Sequence, residues 1–118
     1  KILVDIFYRL HKFYGPGLFE SVYEELVAYE LVKSGLDFRR QYPVPLIHET
    51  IKLEVGFRAD LIIENKVIVE LKSVEALCDI HYKQVLTYLK LARVKLGLLV
   101  NFNVPLIKGG IHRIVNNL

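Results

Sequence analysis

The stretch "GFRADLIIENKVIVELKS", residues 56–73, has two apolar runs on either side of the polar triplet Glu64-Asn65-Lys66. That is the pattern of a β-hairpin whose turn centres on Asn65. Asp60, Glu70 and Lys72 nevertheless fall inside its strands, where a small protein ordinarily places side chains that cost nothing to bury. Alternate residues of a strand share a face, so Glu70 and Lys72 project together while Val67, Val69 and Leu71 project to the other side. Arg58, Asp60 and Ile62 share a face of the preceding strand in the same way. With the turn at Asn65, residue 60 lies directly across from residue 70, with Cβ atoms about 4.5–5.5 Å apart. Two like charges so placed destabilise a sheet, and the flanking residues are too apolar for a solvated face. Lys72 supplies one compensating charge. Two carboxylates converging beside a main-chain carbonyl are also the hard oxygen ligands that Mg²⁺ or Mn²⁺ prefers. The plainer alternative is a structural ion pair between Asp60 and Lys72, with Glu70 facing water.

Outward from the hairpin, residues 1–14 place Ile2, Ile6 and Leu10 at helical spacing, with Leu3, Phe7 and Tyr14 beside them, and Gly15-Pro16-Gly17 ends the helix. A second amphipathic helix runs from Leu18 to about Lys33 and breaks at Ser34-Gly35. The texture turns to β at Arg39. "RRQYPVPLI" is confined by Pro43 and Pro45 to an edge or irregular strand, and "TIKLEV" follows before the hairpin. "CDIHYKQVLTYLKLARVK" returns to helical spacing, with Asp79 near its N-terminus. "GLLVNF" reads as a strand buried on both faces, and "GIHRIV" as a short last strand. The order is ααβββαββ, an α/β or α+β arrangement of helices around a small central sheet.

The 118 residues, 53% hydrophobic and 25% charged, suffice for one well-buried domain and not for two, so a single domain over 1–118 is expected. No apolar run approaches the roughly 20 residues that span a bilayer, and the N-terminal stretch lacks a signal-peptide pattern, so a soluble, unprocessed protein is expected. The lone Cys78 excludes an internal disulfide framework and a Cys/His zinc cluster, and it fits a reducing, cytoplasmic setting. Sixteen Lys and Arg against thirteen Asp and Glu give a net charge of +3, a mild bias toward polyanions.

Asp60 followed after nine intervening residues by "ELK" resembles the D…(D/E)xK core of the PD-(D/E)XK nuclease superfamily. "GLFESVY", Gly17 to Tyr23, is similar to the pattern for which the GxxExxY proteins of that superfamily are named. "GFRADL", "VIVELKSV", "QVLTYLK" and "LGLLVNFNVPL" extend the likeness along nearly the whole chain. Ala59 stands where the superfamily pattern has proline, a position that is not a metal ligand. The resemblance implies a restriction-endonuclease-like core, a mixed sheet flanked by helices. It also implies a preceding helix that donates a glutamate and a following helix that contributes to the site.

On a wheel of about 100° per residue, Glu20 falls between Val27 and Leu31, a carboxylate on an apolar flank. It can serve the site, cap a backbone N–H of Gly17, or do both. Tyr23, one turn on, reads as a packing residue. On the later helix a polar stripe of Gln84, Tyr88, His81 and Lys95 borders Val85, Leu89 and Ala92. Gln84 and Tyr88 match the QxxxY feature of some superfamily nucleases; read without the resemblance, they are an ordinary helix border and a half-buried packing tyrosine. His11, His48, His81 and His112 read as structural or solvated, Arg39-Arg40 as a weak basic patch, and Cys78 has no partner that would make it a nucleophile.

The resemblance thus implies a metal-dependent nuclease of DNA or RNA, DNA ahead of RNA. Asp60, Glu70, the Leu71 main-chain carbonyl and Glu20 would hold Mg²⁺ or Mn²⁺, and Lys72 would act on the attacking water. Gln84, Tyr88 and Lys95 would contact the nucleic acid. Two alternatives stay open: a non-catalytic nucleic-acid-binding module that retains the fold, and a homodimeric interaction subunit whose apolar content leaves a patch to cover.

Overall fold

The structure is a computed structural model that describes residues 2–53 and 57–117. Two helices come first, α1 (Ile2–Tyr14) and α2 (Glu20–Lys33), followed by strands β1 (Phe38–Pro43), β2 (Leu46–His48), β3 (Ile51–Leu53), β4 (Arg58–Ile63) and β5 (Val67–Lys72). Helix α3 (Asp79–Ala92), β6 (Leu96–Asn101), a single 3₁₀ turn (Ile107–Gly110) and β7 (Ile111–Val115) complete the chain. The main sheet has the order β1-β4-β5-β6-β7. Among the described residues only the β5–β6 pair is parallel, and α3 makes the crossover between them.

This is the expected α/β restriction-endonuclease-like core, a mixed sheet with helices on both faces. It differs from the order ααβββαββ in having five strands ahead of α3. Beyond Pro43 and Pro45 the chain leaves the main sheet, and Leu46–His48 pairs with Ile51–Leu53 as a separate two-stranded hairpin. Residues 54 and 55 of "TIKLEV", Gly56, and Lys1 of the first helix lie outside the described residues. As Pro43 requires, β1 is an edge strand, bonded only to β4.

Leu3, Ile6, Phe7 and Leu10 form the buried stripe of α1, whereas Ile2 and Tyr14 at its ends are exposed. The second helix begins at Glu20, two residues later than its spacing suggests. It ends as Ser34-Gly35 predicts: Gly35 takes a φ of 72°, its N–H bonds to Val32 O at 3.1 Å, and the Leu36 N–H bonds to Leu31 O at 3.2 Å. That is a complete Schellman closure.

The parity read from the hairpin separates two cores. Leu61, Ile63, Val69 and Leu71 pack with α1, α2 and Phe102 on one face, and Ile62 and Ile68 pack with Val85, Tyr88 and Leu89 of α3 on the other. Each large side chain so buried contributes about 1.5–3 kcal/mol, which holds the sheet between its helices. Gly97 sets the spacing of the α3 layer, because a Cβ there would lie 2.9 Å from Val85 Cγ1 and 3.3 Å from Leu89 Cδ2. Among the described residues no helix is long and apolar enough to cross a membrane.

Candidate active site

The hairpin turn is closed by the Lys66 N–H bonding to Ile63 O at 2.9 Å, with Glu64 and Asn65 both at positive φ, 56° and 54°. Such a turn suits the twist of the strands it joins. It fixes the register Ile63↔Val67, Ile62↔Ile68 and Leu61↔Val69. One step further along this register Asp60 faces Glu70, as the sequence spacing requires, and there the backbone ladder gives way to side chains. The Asp60 N–H donates to Glu70 Oε1 at 2.8 Å, and the Leu71 N–H donates to Asp60 Oδ2 at 2.8 Å. Each strand's carboxylate thus satisfies an amide of the other strand, and the strands part at this end. Because the N–H and C=O of a strand residue point to the same side, the Leu71 carbonyl is also directed toward β4 in this opening.

Glu70 is only 4% exposed. Burial pushes its carboxyl up from 4.5 to about 7, and the neighbouring Asp60 charge adds to the rise; the Asp60 N–H and Lys72 oppose it, and Glu20 adds a further push. Burial also raises Asp60; the Leu71 N–H opposes the rise, the Glu24 charge adds to it, and Lys72 and Gln41 pull it back. Lys72 Nζ lies 3.8 Å from Glu70 Oε2. The cation therefore pairs with the glutamate beside it on the strand, and the alternative in which Asp60 takes Lys72 and Glu70 faces water is not what the chain adopts.

Glu20 does not cap Gly17. Its Oε2 accepts the Ser73 N–H at 3.1 Å, and the Ser73 hydroxyl donates to Leu18 O at 2.8 Å, so the start of α2 is latched to the residue after Lys72. Tyr23 packs as expected: it is fully buried, stacked on Phe102 with centroids 4.1 Å apart, and its hydroxyl donates to Gly15 O at 2.7 Å. Tyr88 is 4% exposed, edge-on to Phe57, and its phenol is raised by burial and then by the charges of Glu70 and Asp60. Among the described residues its hydroxyl has no hydrogen-bond partner and is not sealed off from solvent. Gln84 shares with Lys72, Phe57 and Thr87 the wall of an open cavity of about 600 Å³.

Lys95 is placed elsewhere. The helix ends at Ala92, Arg93 turns into the left-handed region at φ 58°, and the wheel that aligned Lys95 with Gln84 no longer applies. Lys95 precedes Leu96, which pairs with Val67 at the turn end of the hairpin, five residues of strand from Lys72, or roughly 16 Å. Arg40 is engaged by Glu24 at 3.0 Å and Glu25 at 2.6 Å, which takes it out of any phosphate patch. His81 accepts the Cys78 N–H at 2.9 Å and caps α3.

Sequence reasoning missed three contributors. Glu24, one turn after Glu20 and 8% exposed, accepts Gln41 Nε2 at 2.8 Å, and its charge reaches Asp60. Gln41 sits opposite Asp60 on β1 at φ 47°, and its amide also reaches Asp60 Oδ1 at 3.4 Å. Asn101, beside Lys72 in the parallel ladder, holds Val74 by both its N–H and its C=O, which anchors the loop that follows the site. The i, i+4 spacing of Glu20 and Glu24 was a usable signal; the other two contributors had none.

Among the described residues no three His, Cys, Asp or Glu side chains are drawn together tightly enough to form a ready metal cage. The donors brought together are the Asp60 and Glu70 carboxylates, with the Leu71 carbonyl on the same strand edge, all hard oxygens, at a largely buried place where burial and mutual repulsion raise both carboxyls. That donor set fits Mg²⁺ or Mn²⁺ and does not fit a thiolate- or imidazole-seeking metal.

A family model for the PD-(D/E)XK nuclease superfamily matches residues 1–114. No curated protein and no solved structure gives a significant match.

Proposed function

We propose that this chain, which belongs to the PD-(D/E)XK nuclease superfamily, is a divalent-metal-dependent phosphodiesterase acting on nucleic acid, with DNA the first substrate to test. The observation that carries the reading is the parted end of the β4–β5 hairpin. There two carboxylates, Glu70 buried and Asp60 partly so, each bind an amide of the opposite strand through one oxygen, and their second oxygens have only long contacts that a metal would replace, Asp60 Oδ1 to Gln41 at 3.4 Å and Glu70 Oε2 to Lys72 at 3.8 Å. Asp60, Glu70 and the Leu71 carbonyl would hold Mg²⁺ or Mn²⁺, with Glu20 completing the set directly or through water. A metal held there would lower the pKa of a water and would offset charge developing on the phosphate oxygens.

The chain's own groups do the rest. The amides bonded to Asp60 and Glu70 lock both carboxylates in orientation before substrate arrives. Lys72, on the same face as Glu70, orients the attacking water as a cation and favours loss of the water's proton to solvent. The Gln84 amide, on the cavity wall shared with Lys72, and the free Tyr88 hydroxyl one helical turn on would donate to the non-bridging phosphate oxygens. The net charge of +3 favours a polyanion overall.

The test is a cleavage assay over single- and double-stranded DNA and RNA in Mg²⁺, Mn²⁺ or EDTA. Metal-dependent cleavage that disappears in Asp60→Asn is expected. Nucleic-acid binding without cleavage under every metal condition would overturn the enzymatic reading in favour of a non-catalytic module that keeps the fold.

A further inference from the structure

From the edge of the carboxylate site a seam runs across the molecule between two loops, the α1–α2 loop (residues 15–19) and the loop from β6 to the 3₁₀ turn (residues 102–106). Its first part is a cavity of about 610 Å³ whose wall includes Glu20, Ser73, Phe19 and Asn103. Its second part is a separate cavity of about 550 Å³ lined by neighbouring residues of the same two loops, Pro16, Pro105 and Leu106, together with Tyr8, Lys12 and Lys108. The second loop is held to helix α1: the buried His11 donates through Nε2 to Val104 O at 2.8 Å. Asn103 in turn is fixed by its bonds to Asn101 and Val74. The seam is therefore preformed.

Three features of the seam are unexplained by folding. Phe19 is 80% exposed at the N-cap of α2, where Ser, Thr, Asp or Asn is favoured, and it makes no cap bond. Leu106 is 77% exposed and Tyr8 is 42% exposed, along the same line. Lys12 and Lys108 are exposed and form no ion pair among the described residues, in contrast to Arg9 beside them, which is bound to Glu30 at 2.8 Å. No carboxylate lines the far part of the seam.

Exposed aromatic faces together with unpaired lysines are the recognition chemistry of an unpaired polynucleotide, whose bases stack on the rings while its phosphates meet the cations. A duplex keeps its bases stacked internally and has no use for Phe19, Tyr8 or the apolar walls. We infer that this seam binds single-stranded nucleic acid, the segment next to the scissile phosphate, with Phe19 and Tyr8 as stacking platforms and Lys12 and Lys108 as phosphate contacts. The inference rests on the nuclease reading only for the end of the seam at which cleavage occurs.

Binding is measured without catalysis, in EDTA, by fluorescence anisotropy of labelled oligothymidylate and oligouridylate of about 20 nucleotides, over salt from about 50 to 200 mM. Lys12→Ala combined with Lys108→Ala should lower the slope of log affinity against log salt by about 1.4, two phosphate contacts at about 0.7 each. Phe19→Ala and Tyr8→Ala should each weaken binding at least about fivefold. Lys90→Ala, on the exposed side of α3, should change neither. Unchanged slopes and affinities in the seam variants would overturn the inference, and so would equal competition by a blunt duplex. A dimeric parent that Leu106→Glu converts to monomer would overturn it too, since a second copy would then cover the seam. Hydrolysis of bis(p-nitrophenyl) phosphate by the parent in Mn²⁺ is read separately. A parent that binds through the seam but cannot hydrolyse the diester refutes the nuclease reading alone. One that hydrolyses the diester but ignores the seam refutes the seam alone.

Discussion

Glu70 makes the metal-free protein sensitive to pH in a direction opposite to that of a salt-bridged carboxylate, whose pKa folding lowers. Its carboxyl is raised from 4.5 to about 7, so between those values the folded chain holds a proton that the unfolded chain has released. Stability therefore falls as pH rises through this window and levels off above about pH 7. At about 1.36 kcal/mol per pH unit, the interval sets an upper bound of roughly 3.5 kcal/mol on the loss from Glu70. Asp60, raised in the same direction, adds to it. Glu70→Gln removes the titration yet keeps an oxygen to accept the Asp60 N–H. In EDTA the melting temperature of the parent should drop between pH 5 and pH 8, relative to the variant, by on the order of 10 °C. Groups common to both proteins cancel in the comparison. Mg²⁺ or Mn²⁺ at 100 times its dissociation constant should restore about 2.7 kcal/mol to the parent at pH 8, and less at pH 5, where protons compete for the same oxygens. Glu70→Gln should lose most of that gain. Scanning calorimetry at matched ionic strength reads all four conditions. Identical pH profiles for parent and variant, or a parent that gains stability across the window, would refute the reasoning.

Lys72→Ala should reduce metal-dependent cleavage by about 10²-fold or more while the metal-induced rise in melting temperature survives, because the lysine acts on water and phosphate without being an oxygen ligand; full activity would remove its role. Tyr88→Phe keeps the buried ring against Phe57 and removes only the hydroxyl, so cleavage should slow with stability changed by less than about 1 kcal/mol, and Gln84→Ala should behave alike. If both unfold the protein at normal activity per folded molecule, they are packing residues. Lys95→Ala, remote from the carboxylates, should leave cleavage rates and metal response unchanged, and a loss of activity would contradict its placement beyond the end of α3. Gly97→Ala should destabilise by about 1–3 kcal/mol in urea titration, since the new Cβ meets Val85 Cγ1 at 2.9 Å; no effect would mean that α3 packs less closely on β6.

The hairpin was legible because its information is local. A period of two assigns faces, a polar triplet locates the turn, and the count from Asn65 sets Asp60 against Glu70, all within 11 residues of chain between Asp60 and the Leu71 amide it accepts. The helices were legible for the same reason, through their apolar spacing and the glycine that ends α2. Periodicity, however, extends only as far as the element that carries it. Lys95 shared a wheel with Gln84 and Tyr88 only while the helix was assumed to continue, and the left-handed turn at Arg93 stops it short. The strand count ahead of α3 was set by where the chain leaves the sheet after two prolines, a matter of which edge is open to pair. The latch from Glu20 to Ser73 joins residues 53 apart, and the reach of Gln41 to Asp60 and Glu24 spans 19 and 17. These contacts depend on how α2 and β1 pack around the end of β4, which no repeat in the chain encodes. The sequence by itself determined the pair of carboxylates, their lysine and the faces they occupy. Only the tertiary structure decided which other groups meet them, and that the strands part so that each carboxylate holds the other strand's amide, because those outcomes are fixed by packing between elements and not by the geometry within one.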